Sequence, residues 1–452
     1  VRGLAALLLL AALPTGNAIA ESFILRNVRV IDVQGAGEPR EADVAVENGN
    51  ITAIVKPGGR AGVGAREIEG AQRYLIPGLS EMHAHLPTNP AERAATEDLL
   101  RLYVANGITN IRSMLGDAWH LKLREELAAG KVVGPRLFAG APSLNGRTAP
   151  DPQTGAQLAR EYAAAGFDFL KLHPGLRRDV FDAIARAAYE ARIPFAGHVS
   201  ADVGIERALE ARYAAVDHLD GYLEALADPE CRRAGTSGFF GIGVIDCMDA
   251  ARIRPLVEQT LKAGTWNVAT ESFLEGFAHP PASVEALRAR PDMKYLPPAT
   301  ADNWFDARAR FLGEGAPTPA QFERFLDLRR KLIRALYDRG APLLVGSDAP
   351  QIFNVPGFSA HNELGALVKA GVPVRAVLRA ASVNVARHFG REGEFGAIAA
   401  GQAADLVLLD GNPLEGIANS QRIAGVMVRG QWFDRAALDA MLAGVAARQA
   451  SR

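Results

Sequence analysis

His83 and His85 stand two residues apart, just after the apolar stretch Leu75-Ile76-Pro77-Gly78-Leu79-Ser80-Glu81-Met82. On an extended backbone, residues i and i+2 project to the same side. The pair can therefore present two imidazoles to one divalent cation. Ligand-type residues recur where later apolar runs end. Lys171 lies in Phe167-Asp168-Phe169-Leu170-Lys171-Leu172, and His198 closes Ile193-Pro194-Phe195-Ala196-Gly197-His198. His218 closes Ala214-Ala215-Val216-Asp217-His218, and Asp348 follows Pro342-Leu343-Leu344-Val345-Gly346-Ser347. A lysine inside an apolar run is unusual, because burying an ammonium is costly. Four histidines, one lysine and one aspartate at successive strand ends point to a metal centre.

Three further side chains are candidates for touching a substrate. Tyr222, four residues after His218, is placed to hydrogen-bond a developing oxyanion. Arg112 could bind a substrate carboxylate or serve a buried ion pair. His361, in His361-Asn362-Glu363-Leu364, could contact substrate or a ligand.

These residues need a scaffold that brings many strand ends to one face. Short apolar runs at 75–82, 107–114, 135–140, 167–172, 193–199, 214–219, 265–270 and 342–347 read as eight strands. Ala/Leu/Arg-rich segments at about 91–105, 118–129, 155–165, 177–191, 202–211, 250–263, 320–340 and 373–389 read as helices between or after them. Eight β-then-α units predict a (β/α)8 TIM barrel, an α/β fold whose sites lie at the C-terminal strand ends. Long excursions at about 220–250 and 272–319 follow strand ends, so they are expected over the mouth.

Both chain ends are β-rich instead. Residues 42–55 read as a hairpin with its turn at Asn48-Gly49. Segments 396–410 and 423–432 read as strands that return to it. The division is then 21–75 plus 391–435 as one small β-sandwich domain, 76–390 as the barrel and 436–452 as a C-terminal helix. Residues 1–20 stand apart: Arg2, an apolar run from Leu4 to Leu13, and Ala18-Ile19-Ala20 read as a signal peptide. The expected location is periplasmic or secreted. Cys231 and Cys247 are the two cysteines, an even count that favours a disulfide in an exported protein.

The chain has 452 residues, 48% of them apolar and 22% charged, and a formal net charge of −1. That balance, with no long basic run, argues against a nucleic-acid partner. Beyond residues 1–20 no apolar stretch is long enough to span a bilayer, so no membrane partner is expected. The composition is compatible with a homo-oligomer.

The Pro77-Gly78-Leu79-Ser80-Glu81-Met82-His83-Ala84-His85 motif and the Asp405-Leu406-Val407 tail resemble the amidohydrolase superfamily of metal-dependent hydrolases. The Asp168–Lys171 run, Asp217-His218-Leu219 and His361-Asn362-Glu363-Leu364 are similar to its imidazolonepropionase-like and Xaa-Pro dipeptidase branch, which also holds carboxypeptidases and ochratoxin-type amidases. The resemblance implies that His83, His85 and Asp348 bind one metal ion and His198 and His218 a second. It further implies a carboxylated Lys171 bridging two divalent ions, with zinc the first choice for this donor set. Asp348 would shuttle the proton, and the reaction would be hydrolysis of an amide bond of a dipeptide or N-acyl amino acid. A lactone or phosphotriester hydrolase is the alternative on the same centre. A mononuclear deaminase is disfavoured, because Ala201 stands where such sites carry a glutamate, three residues after the strand-five histidine.

Overall fold

The computed structural model describes residues 21–62, 64–234, 238–278 and 283–451. The signal-peptide reading falls on residues 1–20, outside the described residues. Five strands open the chain: β1 (Phe23–Val30), β2 (Arg40–Glu47), β3 (Asn50–Val55), β4 (Arg66–Glu69) and β5 (Tyr74–Pro77). The β2–β3 hairpin turns at Asn48 and Gly49, both with positive φ (51° and 77°). That conformation matches the right-handed twist of the paired strands, and Asn-Gly adopts it at least cost.

Eight parallel strands follow: β6 (Leu79–Ala84), β7 (Ile108–Ser113), β8 (Arg136–Ala139), β9 (Leu170–Leu172), β10 (Phe195–Gly197), β11 (Ala215–Asp217), β12 (Trp266–Val268) and β13 (Leu343–Leu344). Each falls inside or beside one of the eight apolar runs, though the hydrogen-bonded core of each is shorter. Ladders join β6-β7-β8 and β9-β10-β11-β12-β13. Two seams close the ring. Met82 N–H donates to Val345 O (2.8 Å) and His85 N–H to Ala349 O (2.8 Å). At the other seam Asp168 N–H donates to Ala139 O (2.9 Å) and Ala141 N–H to Phe169 O (2.9 Å). The fold is therefore a TIM barrel, with helices between the strands. The largest core packs strand residues such as Ile111, Leu170 and Val216 against helix residues such as Tyr103, Ile184 and Val257.

The chain returns through β14 (Leu406–Leu409), β15 (Ile423–Val428) and β16 (Gln431–Asp434). These strands join β1–β5 in one eight-stranded mixed sheet, in the order β16-β15-β14-β5-β1-β2-β3, with β4 also on β1. β14 shows why the sheet holds to the barrel. Its side chains alternate in direction. Leu406 and Leu408 enter the sheet's own core with Phe23, Leu25 and Val44, while Val407 and Leu409 enter the barrel's core. A last helix, Arg435–Ala450, packs beside the helix Arg93–Ala105, where Arg448 forms an ion pair with Asp98 (2.6 Å).

The excursions expected over the mouth are largely helical. The first contains Tyr222–Leu226 and Pro229–Ala234, followed by 3-10 turns within Phe239–Cys247. Cys231 and Cys247 are joined by a disulfide.

Candidate metal centre

β6 delivers His83 and His85 as its alternation requires. His85 Nε2 lies 2.8 Å and His83 Nε2 3.5 Å from Asp348 Oδ1. His83, His85 and Asp348 offer donor atoms that all lie within 4.8 Å of one another. The other two histidines continue the cluster. The His218 ring centroid is 4.5 Å from that of His83 and 4.6 Å from that of His198. Lys171 is fully buried in β9, opposite Ala196 of β10. The six residues singled out at strand ends thus share one end of the barrel.

The backbone pays close attention to this end. Asp348 (φ 67°) and His218 (φ 62°) both occupy the left-handed region, which costs a non-glycine residue about 1–3 kcal/mol. The surrounding hydrogen bonds hold them there. Arg329, wholly buried, donates to His218 O (2.9 Å), Ala269 O (2.8 Å) and Glu271 Oε2 (2.8 Å). Two glycines make room. A Cβ on Gly346 would meet His83 N at 2.8 Å, and one on Gly197 would meet the Lys171 side chain at 2.9 Å.

Polar partners around the histidines were not apparent from the sequence. His198 Nδ1–H donates to Asp220 Oδ2 (2.6 Å), which leaves Nε2 with its lone pair free. His218 Nδ1 meets Thr270 Oγ1 (2.8 Å), and His83 Nδ1 lies 3.4 Å from Asp217 Oδ1. Buried Glu81 accepts from the His83 N–H (2.9 Å), the Ser347 N–H (2.8 Å) and the Ser347 hydroxyl. It thereby ties the first histidine strand to the segment that carries Asp348. Asp220 sits only two residues past His218, and that short spacing to a ligand-type histidine was the available signal.

Burial and neighbouring charges keep His83, His198 and His218 neutral. Burial, then the Lys171 ammonium, pushes His83 well below the usual histidine range and His198 down to about 3. His218 is also held well below that range, by burial and by neighbouring His83 and His198. Burial brings Lys171 down to about 8. Neutral imidazole is the form that donates a lone pair to a metal. Several atoms here are buried with no hydrogen-bond partner: His83 Nδ1 and Nε2, Lys171 Nζ and Asp348 Oδ1. Native interiors rarely leave such atoms unsatisfied, so the donor set fits a bound cation.

The three weaker candidates lie elsewhere. Tyr222 points into the helical layer, where its hydroxyl pairs with Thr260 Oγ1 (2.9 Å) and its ring is fully buried. Its hydroxyl is thus already engaged within that layer. Positive φ at both His218 and Leu219 turns the chain before Tyr222, so spacing from His218 did not give its direction. Arg112 forms the buried ion pair: it donates to Asp217 Oδ1 (2.6 Å) and Met82 O (2.6 Å), beneath the cluster and closed to solvent. His361 spends both ring nitrogens. Nε2–H donates to Asn106 O (2.9 Å) and Nδ1 accepts from Ser420 (2.9 Å), so no lone pair remains for ligand or substrate.

A family model described as "Amidohydrolase family" matches residues 74–433. The chain belongs to the amidohydrolase family. It is a metal-dependent hydrolase acting on C–N bonds. A bottromycin amidohydrolase superposes with a TM-score of 0.70 at 24% identity, over 96% of this chain and 94% of that one. A Xaa-Pro dipeptidase gives 0.66 at 18% identity, over 92% and 100%. The A. niger ochratoxinase gives 0.66 at 17%, over 92% and 96%. At these identities the likeness is one of fold. Among curated proteins, a dihydroorotase of Trichlorobacter lovleyi is 35% identical over 96 residues, 21% of this chain; the match spans only 22% of that relative.

Proposed function

We propose that this amidohydrolase is an exported binuclear enzyme that cleaves the amide bond of a dipeptide or N-acyl amino acid. The observation that carries the reading is the cluster of metal-donor side chains at one barrel end, with His83, Lys171 and Asp348 atoms buried and without hydrogen-bond partners. His83, His85 and Asp348 would hold one divalent ion, zinc by the donor set, and His198 and His218 the other. Lys171 would bridge them as a carbamate. Its lowered pKa makes the neutral amine accessible near pH 8. That amine can add to CO₂, forming the N–C bond and releasing one proton.

When bound, the ions acidify water and polarise the amide carbonyl. The remaining tasks fall to side chains. An Asp348 carboxylate oxygen accepts the proton of the attacking water and delivers it to the leaving nitrogen. Arg329 fixes the backbone of His218, and Asp220 fixes the ring of His198. Export is supported by the Leu4–Leu13 run with Ala18-Ile19-Ala20 and by the Cys231–Cys247 bond.

The test is amine release from a library of dipeptides and N-acyl amino acids by the zinc-loaded protein, with His83→Ala as the blank. Metal content is measured on both. Hydrolysis of a related subset by the wild type alone supports the reading. Turnover of lactones or phosphotriesters with no amide cleaved would overturn it.

A further inference from the structure

His173 follows directly on β9, two residues past Lys171. On an extended chain those two side chains project to the same side, so the His173 ring lies on the side of the strand that carries the metal donor. Backbone hydrogen bonds hold the chain extended there: Leu144 N–H donates to Lys171 O (2.9 Å), and His173 N–H donates to Leu144 O (2.9 Å). The His173 ring stacks on that of His198, with centroids 5.0 Å apart and planes at 25°.

A chain of hydrogen bonds fixes where the His173 proton sits. The Arg147 N–H (2.9 Å) and the Thr148 N–H (3.1 Å) both donate to Asn145 Oδ1, which orients the amide. Asn145 Nδ2–H then donates to Ser143 Oγ (3.1 Å). The hydroxyl's own proton goes to its other partner, His173 Nδ1 (2.5 Å). With Nδ1 accepting, the neutral ring carries its proton on Nε2. Nε2 makes no hydrogen bond and is open to solvent, so it is a free donor and not a metal ligand. His173 lines an open cavity of about 510 Å³ between the segments that follow β8 and β9. Arg147 stands on the same wall, and no carboxylate is among the described lining residues. Its exposed guanidinium makes no ion pair or hydrogen bond among the described residues. Glycine lets the two segments meet: a Cβ on Gly146 would collide with Gly175 O. A guanidinium and a neutral N–H donor on one wall, with no acid beside them, suit a carboxylate.

We propose that Arg147 and His173 are specificity-determining residues that receive the free carboxylate on the leaving-amine side of the substrate, Arg147 by its charge and His173 through Nε2–H. This rests on the amidase reading above. It adds that the enzyme is exo-acting: the amino acid released as the amine must carry an unblocked carboxylate. The contact is the same before and during amide cleavage, so it acts on substrate binding and is read in KM.

The test pairs N-acetyl amino acids and dipeptides with their C-terminal carboxamides, matched in side chain. The expected kcat/KM is at least tenfold higher for the acid of each pair, with the difference in KM. In Arg147→Gln the acid-to-amide ratio falls at least fivefold. His173→Asn keeps a partner for Ser143 but has no donor at the Nε2 position, and it lowers the ratio at least threefold. His173→Gln, whose amide reaches that position, restores most of it. Zinc content is measured on each variant, because a residue that only packed on His198 would lose metal or kcat in both and leave the ratio unmoved. Equal turnover of acid and amide, or a ratio that either Arg147→Gln or His173→Asn leaves intact, overturns the inference while amide cleavage stands. If no amide is cleaved, the amidase reading falls, and calorimetric binding alone decides: L-leucine must bind the zinc-loaded protein at least tenfold more tightly than L-leucinamide and lose that margin in Arg147→Gln.

Discussion

Replacing Asp220 by asparagine isolates the contribution of a single partner to the metal centre. The side chain keeps its shape and can still accept from His198 Nδ1–H, now 2.6 Å from Oδ2. It can no longer ionise, whereas burial raises the Asp220 carboxyl to about 8 and a cation bound at His198 would favour its charged form. Partners that orient a metal-binding histidine typically alter affinity 10- to 100-fold when changed, or about 1.4–2.7 kcal/mol. Thr270 offers a comparison, since it plays the same part for His218 at 2.8 Å without a formal charge. Charge-assisted hydrogen bonds are roughly twice as strong as neutral ones, so Thr270→Ala should weaken binding by less than Asp220→Asn. Neither change touches His85 or Asp348. Competition with a zinc chelator should therefore resolve one weakened ion and one near the wild-type affinity in Asp220→Asn. Affinities for both ions within twofold of wild type, or a larger loss in Thr270→Ala, would refute the assignment of Asp220 as an orienting partner.

Gly346→Ala should lower the melting temperature and the bound metal together. Its Cβ would meet Val268 Cγ1 at 2.6 Å and His83 N at 2.8 Å, an overpacking worth about 1–3 kcal/mol; thermal melting and metal analysis read both, and unchanged values would contradict it. Cys231→Ser with Cys247→Ser opens a loop of 16 residues and should cost about 3 kcal/mol in chain entropy, read as a lower denaturation midpoint that reductant no longer shifts. Tyr222→Phe removes a hydrogen bond to Thr260, for about 1 kcal/mol of stability, and should leave kcat unaltered in a steady-state assay. Burial opposes ionisation of Asp43, but the Asn27 N–H, Arg26 and the Gly58 N–H outweigh it and hold its carboxyl below the usual range. Its contribution is therefore complete above the unfolded carboxylate pKa of about 4 and is lost as the pH falls through the lower folded value. The gap in stability between wild type and Asp43→Asn should narrow between pH 5 and about pH 2 in denaturant melts; a constant gap would contradict it.

The residues that were legible in the sequence are those whose position follows from backbone period. The alternation of β6 put His83 and His85 on one side, and the apolar runs located all eight barrel strands. Asn48-Gly49 announced its turn because few dipeptides accept two positive φ values. The residues whose partners were not legible depend on direction in three dimensions. Tyr222 follows two left-handed residues that redirect the chain. His361 is matched by Asn106 and Ser420, 255 and 59 positions away. Arg112 finds Asp217 across 105 positions. No local pattern encodes such partners, because they are fixed by packing between elements distant in sequence.

The shared sheet carries a consequence for the order of assembly. β5 leads directly into the histidine strand, and it is flanked by β1 on one side and by β14 on the other. During synthesis β5 must wait for some 330 further residues, from Pro77 to Leu406, before its second neighbour leaves the ribosome. Until then its edge is open to pairing with other chains. Closure across so long a separation is intrinsically slow. Loss of even the last few strands of the nascent chain would therefore unsettle the element that presents His83 and His85, although neither histidine is near the C-terminus in sequence.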